Sequence, residues 1–321
     1  MSRFRVVTGL EECRDVWEQI MPREVISDLW EVRVCFQKHF RRQPHFIVAE
    51  EDRAIRGLLP LSWIEESGKY GYFPGETWEG KTWLEQNRIP ARGNGLRQAL
   101  LDRCPGPYHL RYLLSPGAGP ENGGTIDEIG YLFIPPRYEY DMENYFGEFS
   151  RKSRKRLRRD LDAFEERGVR YRFNEPDDFE YLVKLNVDSF GDGSYFADCR
   201  FTESFRSLMN LFHERGWLRI TTIMIKGEIA AVDLGCVFNG VYTLLGGGTH
   251  GDFPGVAKLI NIHHVRWACE RKLRMVDFLC GDFSWKTLFH LTPRPLYAMA
   301  DRSSPEQIPV TVRSGRVDHA R

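Results

Sequence analysis

The sequence has no C-x-x-C pair, no excess of either charge and no long apolar run, and each absence removes a class of protein. Its seven cysteines, at positions 13, 35, 104, 199, 236, 269 and 280, are odd in number and scattered. That fits reduced thiols rather than a disulfide framework or a structural zinc site, and no metal is expected. Lys plus Arg number 45, as do Asp plus Glu, so no global field calls for nucleic acid or membrane as an obligatory partner and any charge-based function must be local. No apolar run approaches the roughly 20 residues a membrane helix needs. The opening Met1-Ser-Arg-Phe-Arg-Val-Val7 lacks the apolar core of a leader, so a cytoplasmic protein without integral membrane association is expected.

What is present can build a large core. At 321 residues, 42% of them hydrophobic, the chain can form two ordinary domains or one large one. Apolar spacing predicts helices at 10–21 and 28–40, then strands at 45–49, 55–64 and 70–73. Residues 115–125 are turn formers and read as a surface loop, followed by a strand at 131–134. A single long helix is expected from Met142 to Arg167, carrying the basic run Arg151-Lys-Ser-Arg-Lys-Arg-Leu-Arg-Arg159 and stopped by Gly168. Beyond it the pattern predicts helices 177–190 and 202–215, strands 217–225, 229–238 and 241–249, and a helix 255–272. A strand 275–279, a short helix 284–290, a strand 295–300 and a polar tail over 302–321 complete the reading.

Two stretches align with each other: Phe46-Ile-Val-Ala-Glu-Glu-Asp-Arg-Ala-Ile-Arg-Gly with Tyr70-Gly-Tyr-Phe, and Ile220-Thr-Thr-Ile-Met-Ile-Lys-Gly-Glu-Ile-Ala-Ala with Val241-Tyr-Thr-Leu-Leu-Gly246. Each reads as strand, charged turn, strand, turn, strand, which suggests a duplicated unit.

The richest local pattern is Tyr242-Thr-Leu-Leu-Gly-Gly-Gly-Thr-His250, followed by Gly251-Asp-Phe-Pro-Gly-Val-Ala-Lys258 and a helical pattern to Lys272. It reads as strand, glycine-rich bend and helix start. The first turn of a helix has unpaired N–H donors and the positive end of a dipole, and Gly255 lets an anion approach the backbone closely. The unit can therefore hold a phosphorylated cofactor. Such a turn also serves as plain connection.

With these elements in place, the second half resembles the acyltransferase domain of the Gcn5-related N-acetyltransferase (GNAT) superfamily. More narrowly, the chain resembles the CelD-like branch linked to cellulose and exopolysaccharide biosynthesis, itself similar to the Fem-type aminoacyl transferases. The resemblance is carried by Ser150-Arg-Lys-Ser-Arg-Lys-Arg-Leu-Arg-Arg159, Lys226-Gly-Glu-Ile-Ala-Ala231, Gly246-Gly-Gly-Thr-His-Gly251, Pro254-Gly255 and Val276-Asp-Phe-Leu-Cys-Gly-Asp282 with Trp285-Lys286. It implies an α+β chain of two tandem GNAT-like domains, each a mixed, mostly antiparallel sheet flanked by helices. A degenerate copy would span 1–140, and an acyltransferase domain preceded by the basic helix would span 141–301.

The resemblance further implies that the sheet opens between strands 241–249 and 275–279, with acetyl-coenzyme A or another acyl-coenzyme A as donor in the split. Leu245, Gly246 and Gly247 would hold the pantetheine and the carbonyl, and Gly255, Val256, Ala257 and Lys258 the pyrophosphate. Gly255-Val-Ala257 fits the superfamily's turn, but Asp252 stands where a cationic or amide residue is usual. Either Asp252 turns away and the backbone does the holding, or the donor is not coenzyme A. The implied activity is acyl transfer to an amine, such as an amino sugar or a cell-envelope or exopolysaccharide precursor. The alternatives are a Fem-type enzyme with aminoacyl-tRNA as donor, and a non-catalytic scaffold that keeps the fold.

Acyl transfer to an amine needs a base near the acceptor, donors at the oxyanion and a proton for the leaving group. Asp233 lies within apolar Ala230-Ala-Val-Asp-Leu-Gly-Cys-Val237, where an unpaired carboxylate is costly, so it either pairs or faces a wet cleft. Asp282 follows a strand end, where open sheets place ligands, and Lys286 comes four residues later. The two serve the chemistry, or cap and brace a short helix. Tyr297 can give a proton to the leaving thiolate or simply pack. His250 closes its strand at the substrate end, while of His263 and His264 one should face the sheet, packed as readily as catalytic. Arg154, Lys155 and Arg158 make an anion site for a nucleotide-linked sugar, an anionic polysaccharide or tRNA, or belong to a solvated face balanced by Asp160, Asp162, Glu165 and Glu166. The aromatic cluster from Tyr70 to Trp78, with Trp83, platforms a sugar or acyl group or packs as a strand end into the core of the first half.

Overall fold

In the computed structural model, which describes residues 2–115, 118–281 and 284–301, the chain opens with β1 (Arg3–Val7), α1 (Leu10–Ile20), α2 (Trp30–Phe40), β2 (Pro44–Glu51), β3 (Ala54–Ile64) and β4 (Lys69–Tyr72). Asp52 and Arg53, between β2 and β3, both take positive φ (52° and 62°), the conformations that a tight two-residue hairpin requires. The four strands pair in the order β1-β2-β3-β4. A small hairpin of β5 (Thr77–Trp78) and β6 (Lys81–Thr82) follows, then α3 (Asn94–Leu101), β7 (His109–Leu113) and β8 (Thr125–Phe133).

The expected long helix is two helices, α4 (Met142–Gly147) and α5 (Arg151–Glu166). The break has a local cause: the Ser150 hydroxyl accepts the N–H of Ser153 at 3.2 Å, so it starts a new helix rather than continuing the old one.

The second half repeats the first. It runs β9 (Arg170–Phe173), α6 (Asp178–Phe190), α7 (Cys199–Glu214), β10 (Leu218–Ile225), β11 (Glu228–Phe238) and β12 (Val241–Thr249). It then adds α8 (Val256–Glu270), β13 (Met275–Asp277), α9 (Ser284–Leu288) and β14 (Thr292–Ala300). The turns Lys226-Gly227 and Asn239-Gly240 again carry paired positive φ values, 53° and 87°, then 49° and 70°. The repeat extends to the helix starts: α3 follows Gly93 at φ 91° and α8 follows Gly255 at φ 88°. The fold is α+β and tandem, as expected. The tail 302–321 lies outside the described residues.

The larger sheet has the order β7-β14-β8-β13-β12-β11-β10-β9. β14 runs between β7 and β8, with Tyr297 opposite Leu113 on one side and Ile126 on the other. β8 in turn pairs with β13, so each half completes its sheet with a strand from the other. One face of this sheet packs on α5 and α8, the opposite face on α6 and α7. α2 of the first half closes on α7, with the rings of Phe40 and Phe201 4.9 Å apart, so apolar burial also joins the halves. Among the described residues no helix is long and apolar enough to cross a membrane.

Candidate active site at the parting of β12 and β13

β12 and β13 are parallel neighbours for three pairs only, Val241 with Met275, Tyr242 with Val276 and Thr243 with Asp277. Past them β12 continues along β11 to Thr249, while the chain after β13 follows β8: Phe278 donates its N–H to Tyr131 O at 2.9 Å, and Leu279 O accepts from Tyr131 at 3.2 Å. Among the described residues, 244–249 of β12 thus have a strand partner on one edge and none on the other. A bulge lies at the start of this open edge, since Leu234 faces Gly246 and Gly235 faces Leu244, leaving Leu245 extra. Bulges re-aim the backbone and gather near functional sites.

The three glycines of β12 have different reasons. A Cβ on Gly247 would lie 2.2 Å from Asp233 Oδ1, and one on Gly248 would lie 2.8 Å from Leu185 Cβ and 3.0 Å from Leu182 O of α6. Packing therefore demands both. Gly246 meets only an ordinary contact, 3.6 Å from the Phe196 ring. At the start of α8 the Cβ position of Gly255 faces the Phe164 ring of α5 at 3.6 Å, so the basic helix lies beside the glycine turn. Val256 donates its N–H to Phe253 O and Lys258 to Gly255 O. The Lys258 ammonium pairs with Asp160 of α5. Asp252 is 85% exposed, its carboxylate 3.9 Å from His250 Nδ1.

Asp233 resolves its cost by pairing. His264 Nε2 of α8 lies 2.8 Å from Asp233 Oδ2, the histidine side chain fully buried and the aspartate 6% exposed, so this carboxylate does not face a wet cleft. His263, the other histidine, stacks on Tyr171 at 4.4 Å, and burial pushes its pKa down to about 3. Lys286 is also sealed: its ammonium donates to the carbonyls of Phe278, Leu279 and Cys280 at 3.0, 2.9 and 2.8 Å, and burial lowers its pKa. It holds the loop after β13, where Leu279 takes the uncommon φ of 53°. Asp282 lies outside the described residues. Tyr297 packs with the core of the first half and is not brought to the open edge of β12. Of the basic run, Arg158 pairs with Glu143, whereas Arg151, Lys152, Arg154, Lys155 and Arg156 show no carboxylate partner among the described residues.

Sequence reasoning missed a polar cluster at the junction of the halves. The segment 81–87 of the first half crosses to the second: Lys81 Nζ donates to Asp192 O at 3.0 Å, Tyr195 Oη to Thr82 O at 3.1 Å and Gln86 Nε2 to Asp277 Oδ2 at 2.8 Å. Asp277, 1% exposed, also takes Arg294 at 2.8 Å and the Leu279 N–H at 2.9 Å. Glu85 accepts the N–H of Cys280 at 2.9 and 3.1 Å. Burial, with the charge of Asp277 adding to it, pushes the Glu85 carboxyl up to about 7, and burial pushes the Cys280 thiol up beside it. Asp277 lies in the quoted strand motif; nothing local marks Glu85.

Residues 151–287 match the family model described as an acetyltransferase (GNAT) domain. No curated protein matches the chain in sequence. In fold the chain is similar to FemX, with a TM-score of 0.57 at 10% identity over 92% of this chain and 96% of that one. It is also similar to a conserved protein of unknown function from Bacteroides thetaiotaomicron VPI-5482, with a TM-score of 0.59 at 13% identity over 94% and 99%. L-PGS from Bacillus licheniformis gives a TM-score of 0.52 at 12% identity over 80% and 83%. At such identities the likeness establishes the fold, two tandem GNAT-like units. The domain match over residues 151–287 supports acyl transfer as the general chemistry.

Proposed function

We propose that the protein moves an acyl group, acetyl in the simplest case, from acyl-coenzyme A to the amine of an amino sugar or of an envelope or exopolysaccharide precursor. The observation that carries this reading is the one-sided edge of β12 over 244–249, opening beside the glycine-led start of α8. Unpaired strand backbone can hold an extended amide-bearing chain, and a helix N-terminus can hold its phosphates. The backbone of Leu245, Gly246 and Gly247 receives the donor's arm and carbonyl, and the turn from Gly255 to Lys258 receives phosphate through the N–H groups of Gly255 and Ala257, those of Val256 and Lys258 being already bonded. Exposure of Asp252 supports holding by backbone. Asp233, through His264, positions β11, and with it the paired β12, against α8. Seven free thiols suit a cytoplasmic setting.

Calorimetric titration with coenzyme A and acetyl-coenzyme A at low and moderate salt tests the donor. Micromolar binding that disappears in Gly255→Glu is expected; equal binding by that variant removes the reading. A second donor, aminoacyl-tRNA, is favoured by five cations at the start of α5, where the helix dipole disfavours positive charge unless an anion is bound. Retention of tRNA that falls steeply with salt, without coenzyme A binding, selects this second donor.

A further inference from the structure

Glu85 reaches the parting from the first half, across a bridge of hydrogen bonds that joins segment 81–87 to the loop 191–197 and to β13. The two nearby arginines are held by other carboxylates. Arg294 is bound to Asp277 and Arg111 to Asp127 and Glu128, while the Lys286 ammonium, hydrogen-bonded to three neutral carbonyl oxygens, keeps its charge and attracts Glu85. Among the described residues the hydrogen bonds of Glu85 come from neutral Cys280. Its carboxylate oxygens therefore meet one backbone N–H and no side-chain cation in direct contact among the described residues. Beside it Gln86 Oε1 is buried and has no hydrogen-bond partner among the described residues, an orphan acceptor that an incoming N–H or hydroxyl would satisfy.

We infer that Glu85 takes the proton released by the acceptor amine when the acyl group is transferred at the parting of β12 and β13; this inference rests on the function proposed above. The amine nitrogen's lone pair forms the new C–N bond, and the bond from the acyl carbon to the donor's sulfur or oxygen breaks with its electrons on that atom. The surplus proton on nitrogen passes to the Glu85 carboxylate and from there to the leaving group. The catalytic machinery is then split between the halves, and the first half is more than a scaffold.

The groups facing Glu85 are Asp277 of β13, Cys280 and Lys286 beyond it, Arg294 of β14, Tyr112 of β7 and Tyr195 of the α6–α7 loop, with Glu128 of β8 acting on Cys280, Lys286 and both tyrosines. Burial and the charge of Asp277 hold the carboxyl near neutrality, where a base both is ionised and binds protons well.

The test uses the full chain, acetyl-coenzyme A and alanyl-tRNA as donors, and glucosamine and lysine as probe amines. Glu85→Gln should lower kcat by about 10²–10⁴-fold, leave calorimetric donor binding unchanged and abolish the rise of kcat with pH near neutrality. Added formate should restore part of the rate to Glu85→Ala. Because a carboxyl held above its ordinary range opposes folding at neutral pH, Glu85→Gln should melt no lower than the wild type; a purely structural carboxylate predicts the reverse. Transfer by Glu85→Gln close to wild type, with the pH rise intact, overturns the role and leaves the acyltransferase reading standing. No transfer by the wild-type chain from either donor removes both.

Discussion

His264 Nε2 stands 2.8 Å from Asp233 Oδ2 inside the packing of α8 on the sheet, and this one contact ties β11 to the helix that starts at Gly255. Removing one partner leaves the other sealed from water without compensation. His264→Ala is expected to cost about 3–5 kcal/mol, read from urea unfolding, and adding Asp233→Asn should return part of it. A loss under about 1 kcal/mol would mean that water reaches Asp233 in solution.

Acid should weaken the fold before the carboxylates titrate. Burial lowers the pKa of His263 to about 3 and also lowers those of His39, His45 and His109. The unfolded chain therefore binds more protons than the folded one below about pH 6.5, and stability falls as pH drops through that range. His263→Phe, which keeps the stacking on Tyr171 and Phe173, should flatten the slope of midpoint denaturant concentration against pH. An unchanged slope assigns the effect to the other histidines.

Gly248 allows α6 to lie directly on β12. A methyl there meets Leu182 O at 3.0 Å and the Asn186 N at 3.3 Å, so backbone must move. Gly248→Ala should cost about 1–3 kcal/mol and, by displacing Asn186 from its 2.8 Å bond to Gly247 O, weaken donor binding as well. Intact binding with lowered stability would separate packing from ligand support.

The Lys286 ammonium spans three successive carbonyl oxygens. Lys286→Met retains the apolar stem but leaves those acceptors unmade, for an expected loss of about 1–3 kcal/mol. Because the same loop presents the Cys280 N–H to Glu85, hydrogen exchange at Cys280 should quicken more than at Val276. Equal protection at both sites argues that the loop holds itself.

Much of this fold is legible in the sequence because its turns are explicit. Lys226-Gly227 and Asn239-Gly240 separate apolar runs of strand length, and β10, β11 and β12 follow with ends within a residue of expectation. β9 is hidden because Arg170-Tyr-Arg-Phe173 is short and half charged, and its strand state comes from pairing with β10. The need of Asp233 for a partner is readable from its apolar neighbours, and the partner emerges from helical phase on α8. Glu85 has no such trace: it meets Cys280 across 195 positions, and only the folded chain makes that pair.

The placement of β14 sets an order of events at the ribosome. A nascent chain that has emerged only to residue 270 already contains β7 and β8, yet the strand that separates them, Thr292–Ala300, has not been made. Until it arrives, the edges of β7 and β8 that flank it stand exposed and can take a wrong partner, including each other. Efficient production should therefore depend on shielding those edges until synthesis reaches β14, and a chain ending before Thr292 should associate or be degraded rather than persist as a folded first half.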